Sequence, residues 1–182
     1  KMKRKFIAGV LSFLLAVSTM AETAAAAELT DNAEVSEAAQ ISLENRIWDL
    51  SSDTTAERPL VEGTTGEFDG ILIDATNGKF APRTPETGGT DTQINAGTIL
   101  TIPVAANNDG AQLTITLSGG TGTVEINGQS YTDASKVISV DLPASEEDTS
   151  CDVTFVPNSD GSNSTYVASI ALSYNEPAEE YP

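Results

Sequence analysis

Apolar side chains fall at every second residue through much of the chain, and turn dipeptides cut the pattern into short runs. Leu113, Ile115 and Leu117 alternate with Gln112, Thr114 and Thr116. Ile138, Val140 and Leu142 alternate with Ser139 and Asp141, and Cys151, Val153 and Phe155 with Asp152 and Thr154. Tyr166, Ala168, Ile170, Leu172 and Tyr174 alternate with Ser169, Ala171 and Ser173. Leu100, Ile102 and Val104 point one way, Thr101 and Pro103 the other. Pro103 has no N–H to give a ladder, so this strand ends or lies at an edge there. A period of two puts one face of each strand in a core and leaves the other in water. Asp109-Gly110, Gly119-Gly120, Asn127-Gly128 and Asp160-Gly161 separate the runs. Of these, Asn127-Gly128 predicts a two-residue hairpin. Short strands at this spacing predict an all-β fold, an antiparallel β-sandwich of jelly-roll type. A β-helix would need a repeated coil, and no repeat is visible.

The strand Ile71–Asp74 is bounded by Asp69-Gly70 and Asn77-Gly78. A polar loop is expected between it and the strand near Leu100. That loop carries Lys79, Arg83, Asp91, Gln93 and Asn95, a dense set of planar hydrogen-bonding and charged side chains.

Residues 1–27 read as a secretory signal peptide. KMKRK is a basic start, Phe6–Val17 an apolar run too short for a bilayer, and Ala24–Ala27 a small-residue cleavage region. Cleavage is expected after Ala27, with Ala21 as the alternative, and Met2 is the expected start. The chain is thus read as secreted, with no membrane partner after cleavage. Residues 28–45 are acidic, Ala-rich and poor in apolar residues, a flexible leader that should be dispensable for folding. The folded unit is expected over 46–176, and 177–182 as the start of a Pro/Glu linker to a further domain.

The full chain carries 27 acidic and nine basic residues, net −18. Beyond residue 27 there remain 26 acidic residues against Arg46, Arg58, Lys79, Arg83 and Lys136, a net of about −21. Such a charge repels nucleic acid and anionic membranes. The chain has no histidine. A Ser-His-Asp system and His/Cys zinc sites are therefore excluded, and no phosphate-binding glycine loop occurs. No nucleophile–base pair is found, so the chain is read as non-enzymatic. The lone Cys151 alternates in phase with Val153 and Phe155, as a small buried hydrophobe does. Carboxylate pairs carry no information on so acidic a chain. Asn158–Asn163 lacks an acidic first ligand for an EF-hand loop, since Val156 stands there, and an Asn/Asp/Gly turn is the better reading. Ca2+ held by loop carbonyls and scattered Asp residues stays open.

Lys79 and Arg83 could together hold a uronic-acid sugar, Arg by a bidentate grip and Lys as a point charge. Pairing with Asp74, Glu86 or Asp91 is the competing role. Gln93 and Asn95 would be hydrogen-bonding neighbours, and Asp91 would orient the cations. Trp48, the only Trp, is either a sugar-stacking platform or a core residue. Tyr131 and Tyr181 are further exposed candidates.

The ordered series Trp48-Asp49, Phe68-Asp69-Gly70, Ile73-Asp74-Ala75-Thr76, Gly78-Lys79-Phe80, Pro82-Arg83, Asp91-Thr92-Gln93, Asn95-Ala96-Gly97-Thr98 and Ile102-Pro103-Val104 carries a resemblance. With the closing Tyr166-Val167-Ala168-Ser169-Ile170, it resembles an accessory β-sandwich module of secreted bacterial pectate lyases and pectin methylesterases, over roughly Ile47 to Asn175. The resemblance implies a non-catalytic, carbohydrate-binding domain. Its expected partners are a plant cell-wall polysaccharide, either pectin (polygalacturonate) or a neutral glycan, and a downstream catalytic domain. A structural spacer or surface-assembly domain is the alternative.

Overall fold

The computed structural model describes residues 41–51, 57–120, 122–132 and 134–177. The expected signal peptide, most of the leader, Tyr181 and nearly all of the linker lie outside them. Thirteen strands occupy the described residues: β1 Arg46–Asp49, β2 Val61–Glu62, β3 Thr65–Phe68, β4 Ile71–Asp74, β5 Lys79–Pro82, β6 Thr92–Asn95, β7 Ile99–Val104, β8 Ala111–Gly119, β9 Thr123–Ile126, β10 Gln129–Thr132, β11 Val137–Leu142, β12 Thr149–Phe155 and β13 Ser164–Tyr174. The only helical element among them is a 3-10 turn, Pro85–Thr87.

The strands form two antiparallel sheets. One has the order β11-β8-β13-β6-β5-β2, with β1 also paired to β13, and the other β10-β9-β12-β7-β4-β3. Within them, β6 to β13 run 6-13-8-11 in one sheet and 7-12-9-10 in the other. Every step from β6 to β13 crosses between the layers except the β9–β10 hairpin. This is the eight-stranded jelly roll, two interleaved Greek keys. The expected antiparallel sandwich is therefore the observed fold.

The core between the sheets is built from the inward side of each alternating run. Leu100, Ile102 and Val104 are buried, as are Leu113, Ile115, Leu117, Cys151, Val153 and Phe155. Asn127 and Gly128 both adopt positive φ, 48° and 79°, and join β9 to β10 as the two-residue hairpin expected there. Asp69 and Gly70 repeat the device between β3 and β4, at 48° and 83°. Pro103 pairs with Ser150 of β12, while β4 flanks β7 only at Ile99–Thr101. The proline thus sits where that side of the strand is unpaired.

Two expectations are corrected. The polar loop between β4 and β7 contains two strands, β5 and β6. Each is four residues long and buries a single large side chain, Phe80 or Ile94, too little to display a period. The strand at Tyr166–Tyr174 does not keep one phase either. The register with β8 slips between Tyr166 and Val167 and again between Val167 and Ser169. These bulges bury Val167, Ile170 and Leu172 and turn Tyr166 to the outer face.

Residues 41–45 of the expected leader run along the sandwich. The Asn45 Oδ1 accepts the Tyr174 N–H at 2.8 Å, and the Ile41 N–H reaches Asp148 Oδ2 at 3.2 Å.

Candidate functional site

Pro82 ends β5, and Arg83 follows it into a hairpin-like excursion that returns at Asp91. The ends of the excursion meet through the Arg83 N–H and the Asp91 carbonyl at 2.7 Å. Inside it, the Thr84 N–H donates to Thr87 Oγ1 at 2.7 Å. Gly88 takes a left-handed φ of 92° to close the 3-10 turn.

The Arg83 guanidinium grips Asp91 bidentately, Nε to Oδ1 at 2.6 Å and Nη2 to Oδ2 at 3.0 Å. Its carbon lies 3.9 Å from the centroid of the Tyr166 ring, a cation–π stack. The guanidinium lies close to the Gly89 backbone: a Cβ there would stand 2.3 Å from the Arg83 Cζ. The Ser118 hydroxyl also donates to Asp91 Oδ2. Burial raises the Asp91 carboxyl, but the Arg83 and Ser118 hydrogen bonds and the Arg83 charge outweigh it and hold the group below the ordinary carboxylate value. The same Asp91 hydrogen bond raises Arg83 above its usual value. Arg58 braces the strand ends beneath, donating to the Leu50 carbonyl and to Thr92 Oγ1. Desolvation by burial lowers its own pKa.

The outer face of the larger sheet carries the remaining polar candidates. Registers align Ala81, Gln93, Tyr166 and Gly119 in one row across β5, β6, β13 and β8, with Asn95 opposite Ser164 in the next. The Gln93 amide donates to Asn95 Oδ1 at 2.9 Å and to Ser164 Oγ at 3.1 Å, and the Ser164 hydroxyl donates to Asn95 Oδ1 at 3.1 Å. This triangle leaves three groups without a partner among the described residues: the Gln93 Oε1, the Asn95 Nδ2 amide and the Tyr166 hydroxyl. Lys79, at the start of β5, pairs with Glu62 of β2 at 3.2 Å.

The structure thus gathers Gln93 and Asn95 on one face and joins Arg83 to Asp91, the partnership that sequence spacing allowed. Trp48 is not on that face. It is 1% exposed, packed in the core, and its Nε1–H donates to the Asp69 carbonyl at 2.9 Å, so no ring face is offered to a sugar. Of the other two candidates, Tyr131 is half-buried against the core and Tyr181 lies outside the described residues. Tyr166, Ser164, Ser118 and Glu62 were not anticipated. A bulge brings Tyr166 to the face, and cross-strand register brings Ser164 and Glu62. Only a predicted register could have found them.

All five cations beyond residue 27 have a hydrogen-bond or ion-pair partner. Besides Arg58, Lys79 and Arg83, Arg46 pairs with Asp69 at 2.6 Å, and the Lys136 ammonium donates to the Ser118 carbonyl at 3.4 Å. Among the described residues no three acidic or Cys side chains converge as a metal site would require. The segment Asn158–Asn163 is a turn. Asp160 Oδ1 accepts the Ser162 N–H at 2.9 Å. Buried Asn158 donates through its side-chain amide to the Ser164 carbonyl at 2.7 Å. A separate hollow of about 200 Å³ lies beside β1, lined by Ile41, Asn45, Arg46, Pro103 and Tyr174 among others, and none of the face residues reaches it.

No family model and no curated protein matches the chain. Among solved structures, one from work on the Ruminococcus flavefaciens cellulosome and its expansion in glycan recognition is similar over 73% of this chain and 96% of its own, at 12% identity and a TM-score of 0.39. A family two carbohydrate esterase from Cellvibrio japonicus is similar over 76% of this chain and 37% of its own, at 14% identity and a TM-score of 0.34. Likeness at this level assigns neither a family nor an activity.

Proposed function

We propose that this chain is a non-catalytic carbohydrate-binding module of a secreted, plant cell-wall-degrading enzyme. The observation that carries the reading is the Gln93–Asn95–Ser164 triangle on the outer sheet face. Its internal bonds fix two planar amides and leave one acceptor and one donor without a partner among the described residues. Vicinal hydroxyls of a pyranose both donate and accept, and a rigid acceptor–donor pair suits them at low ordering cost. The resemblance to pectinase accessory modules supports the same reading and points to a plant cell-wall polysaccharide as the ligand and to a catalytic domain downstream. The signal-like start supports secretion.

Retention of the purified chain on insoluble plant cell walls tests this. Gln93→Ala and Asn95→Ala should each reduce the bound fraction while leaving the unfolding midpoint little changed, since both side chains are on the outer face. Equal retention of wild type and both variants would remove the site. Release of unsaturated uronides or of methanol from pectin would refute the non-catalytic role.

A second reading, a structural spacer, is favoured by one observation. Arg83 and Lys79 are spent on Asp91 and Glu62 rather than held free for a ligand. No retention on any wall fraction would establish it over the binding module.

A further inference from the structure

We propose that the ligand of the outer sheet face is a neutral, hydroxyl-only polysaccharide and that the Lys79–Glu62 pair excludes polyuronates from it. The inference rests on the binding-module reading and narrows it to a ligand class.

The exclusion follows from where the charges are. Capturing a sugar carboxylate needs a cation with an open side. Arg83 already holds a carboxylate: Asp91 takes its Nε–Nη2 edge bidentately, Tyr166 stacks on the guanidinium, and the Gly89 backbone lies close to it. Arg58 donates inward to a carbonyl and a threonine, while Lys136, exposed and held by the Ser118 carbonyl at 3.4 Å, lies beyond β8 with β13 between it and the strand of Gln93 and Asn95. Arg46 lies on β1 with Asp69, away from the triangle. Lys79, one residue before the Phe80–Ile94 pair and so beside Asn95 in register, has a side chain 30% exposed, and it holds Glu62 at 3.2 Å. An incoming carboxylate would have to displace Glu62, which is 59% exposed but stays on the paired strand β2. The two like charges would then share one lysine. The excess of acidic residues, net −18 over the full chain, adds long-range repulsion.

What the face offers freely is uncharged: the Gln93 oxygen, the Asn95 amide and the Tyr166 hydroxyl. The site therefore selects by both means, hydrogen bonds to hydroxyls and a fixed negative charge against an acid.

The test includes one pair of polymers that differ only in charge, with further neutral polymers beside them. Native affinity electrophoresis is run with polygalacturonate, with carboxyl-reduced polygalacturonate (a neutral galactan), and with β-1,4-galactan, xyloglucan and hydroxyethylcellulose. The expected result is retardation by at least one neutral polymer, unchanged between ~20 and ~300 mM NaCl, and none by polygalacturonate even at low salt. Glu62→Gln frees Lys79 at an exposed position that carries no fold, and should gain retardation by polygalacturonate that salt abolishes. Wild-type retardation by polygalacturonate equal to or stronger than that by the neutral polymers would overturn the inference and leave the binding-module reading intact. An unchanged Glu62→Gln variant would overturn the exclusion by this pair. Retardation by none of the five would overturn both.

Discussion

Removing Arg83 strands a carboxylate that the fold has largely taken out of water. In Arg83→Met the aliphatic stem still covers Tyr166. Asp91, only 6% exposed, then keeps the Ser118 hydroxyl as its one side-chain donor. Breaking a buried pair by deleting one partner costs about 3–5 kcal/mol. The Arg83 side chain is 21% exposed. The excursion from Thr84 to Thr90 is mostly on the surface as well. Water therefore reaches the gap and the low end applies, about 3 kcal/mol. Asp91→Asn leaves a guanidinium that can turn to solvent and should cost less, about 1–2 kcal/mol. The double variant should cost little more than Arg83→Met alone, a coupling of about 1–2 kcal/mol. Urea unfolding read through Trp48 fluorescence measures all four proteins, because the single tryptophan is buried in the core. On heating, Arg83→Met should melt roughly 10 °C lower. The pH dependence has a defined sign. The folded carboxyl of Asp91 lies below its unfolded value. The pair's contribution is therefore present above about pH 4 and is lost as pH falls through the lower folded value. The gap between wild type and Asp91→Asn should thus be flat from about pH 5 to 8 and close in acid. A cost below about 1 kcal/mol for Arg83→Met, with coupling below about 0.3, would mark the pair as an ordinary surface contact and refute the reasoning.

Gly78→Ala would place a Cβ 2.6 Å from the Thr98 backbone nitrogen, which cannot move aside. That substitution should cost about 2–3 kcal/mol in urea melts. Gly128→Ala meets no atom within 4 Å. It should cost only the left-handed backbone strain, about 1–2 kcal/mol in the same melts. At Asn127 the φ of 48° and the bond from the Asp152 N–H to Asn127 Oδ1 at 2.9 Å act together. Asn127→Ala should lose about 1–2 kcal/mol and Asn127→Gly clearly less, and equal losses would discount the turn conformation. The Cys151 thiol is pushed up to about 11 by burial and then by the Asp152 charge. Native protein at about pH 8 should therefore resist Ellman's reagent and react fully in urea. Rapid labelling of the native state would contradict its burial.

What the sequence determines by itself is whatever a residue's nearest neighbours along the chain decide. A strand's side chains alternate by geometry, so Leu113, Ile115 and Leu117, or Cys151, Val153 and Phe155, declare a core face without reference to any partner. Asn127-Gly128 declares its hairpin because two successive positive φ values are cheap only for such residues. The sandwich class, the buried cysteine and the Arg83–Asp91 pairing were legible on those grounds. Tertiary structure alone decided the rest. β5 and β6 are strands because β2, β13 and each other supply their hydrogen bonds, not because four residues with one large apolar group announce it. Trp48 is inside because β1 pairs with the middle of β13, whereas its local context suits a platform equally well. The β13 bulges set Tyr166 out of phase with Ile170 and Leu172, and register alone brings Ser164 to Asn95 and Glu62 to Lys79. Periodicity is a short-range property and survives in the sequence. Register and strand order arise from contacts between distant segments, and those segments carry no local mark of which partner they will meet.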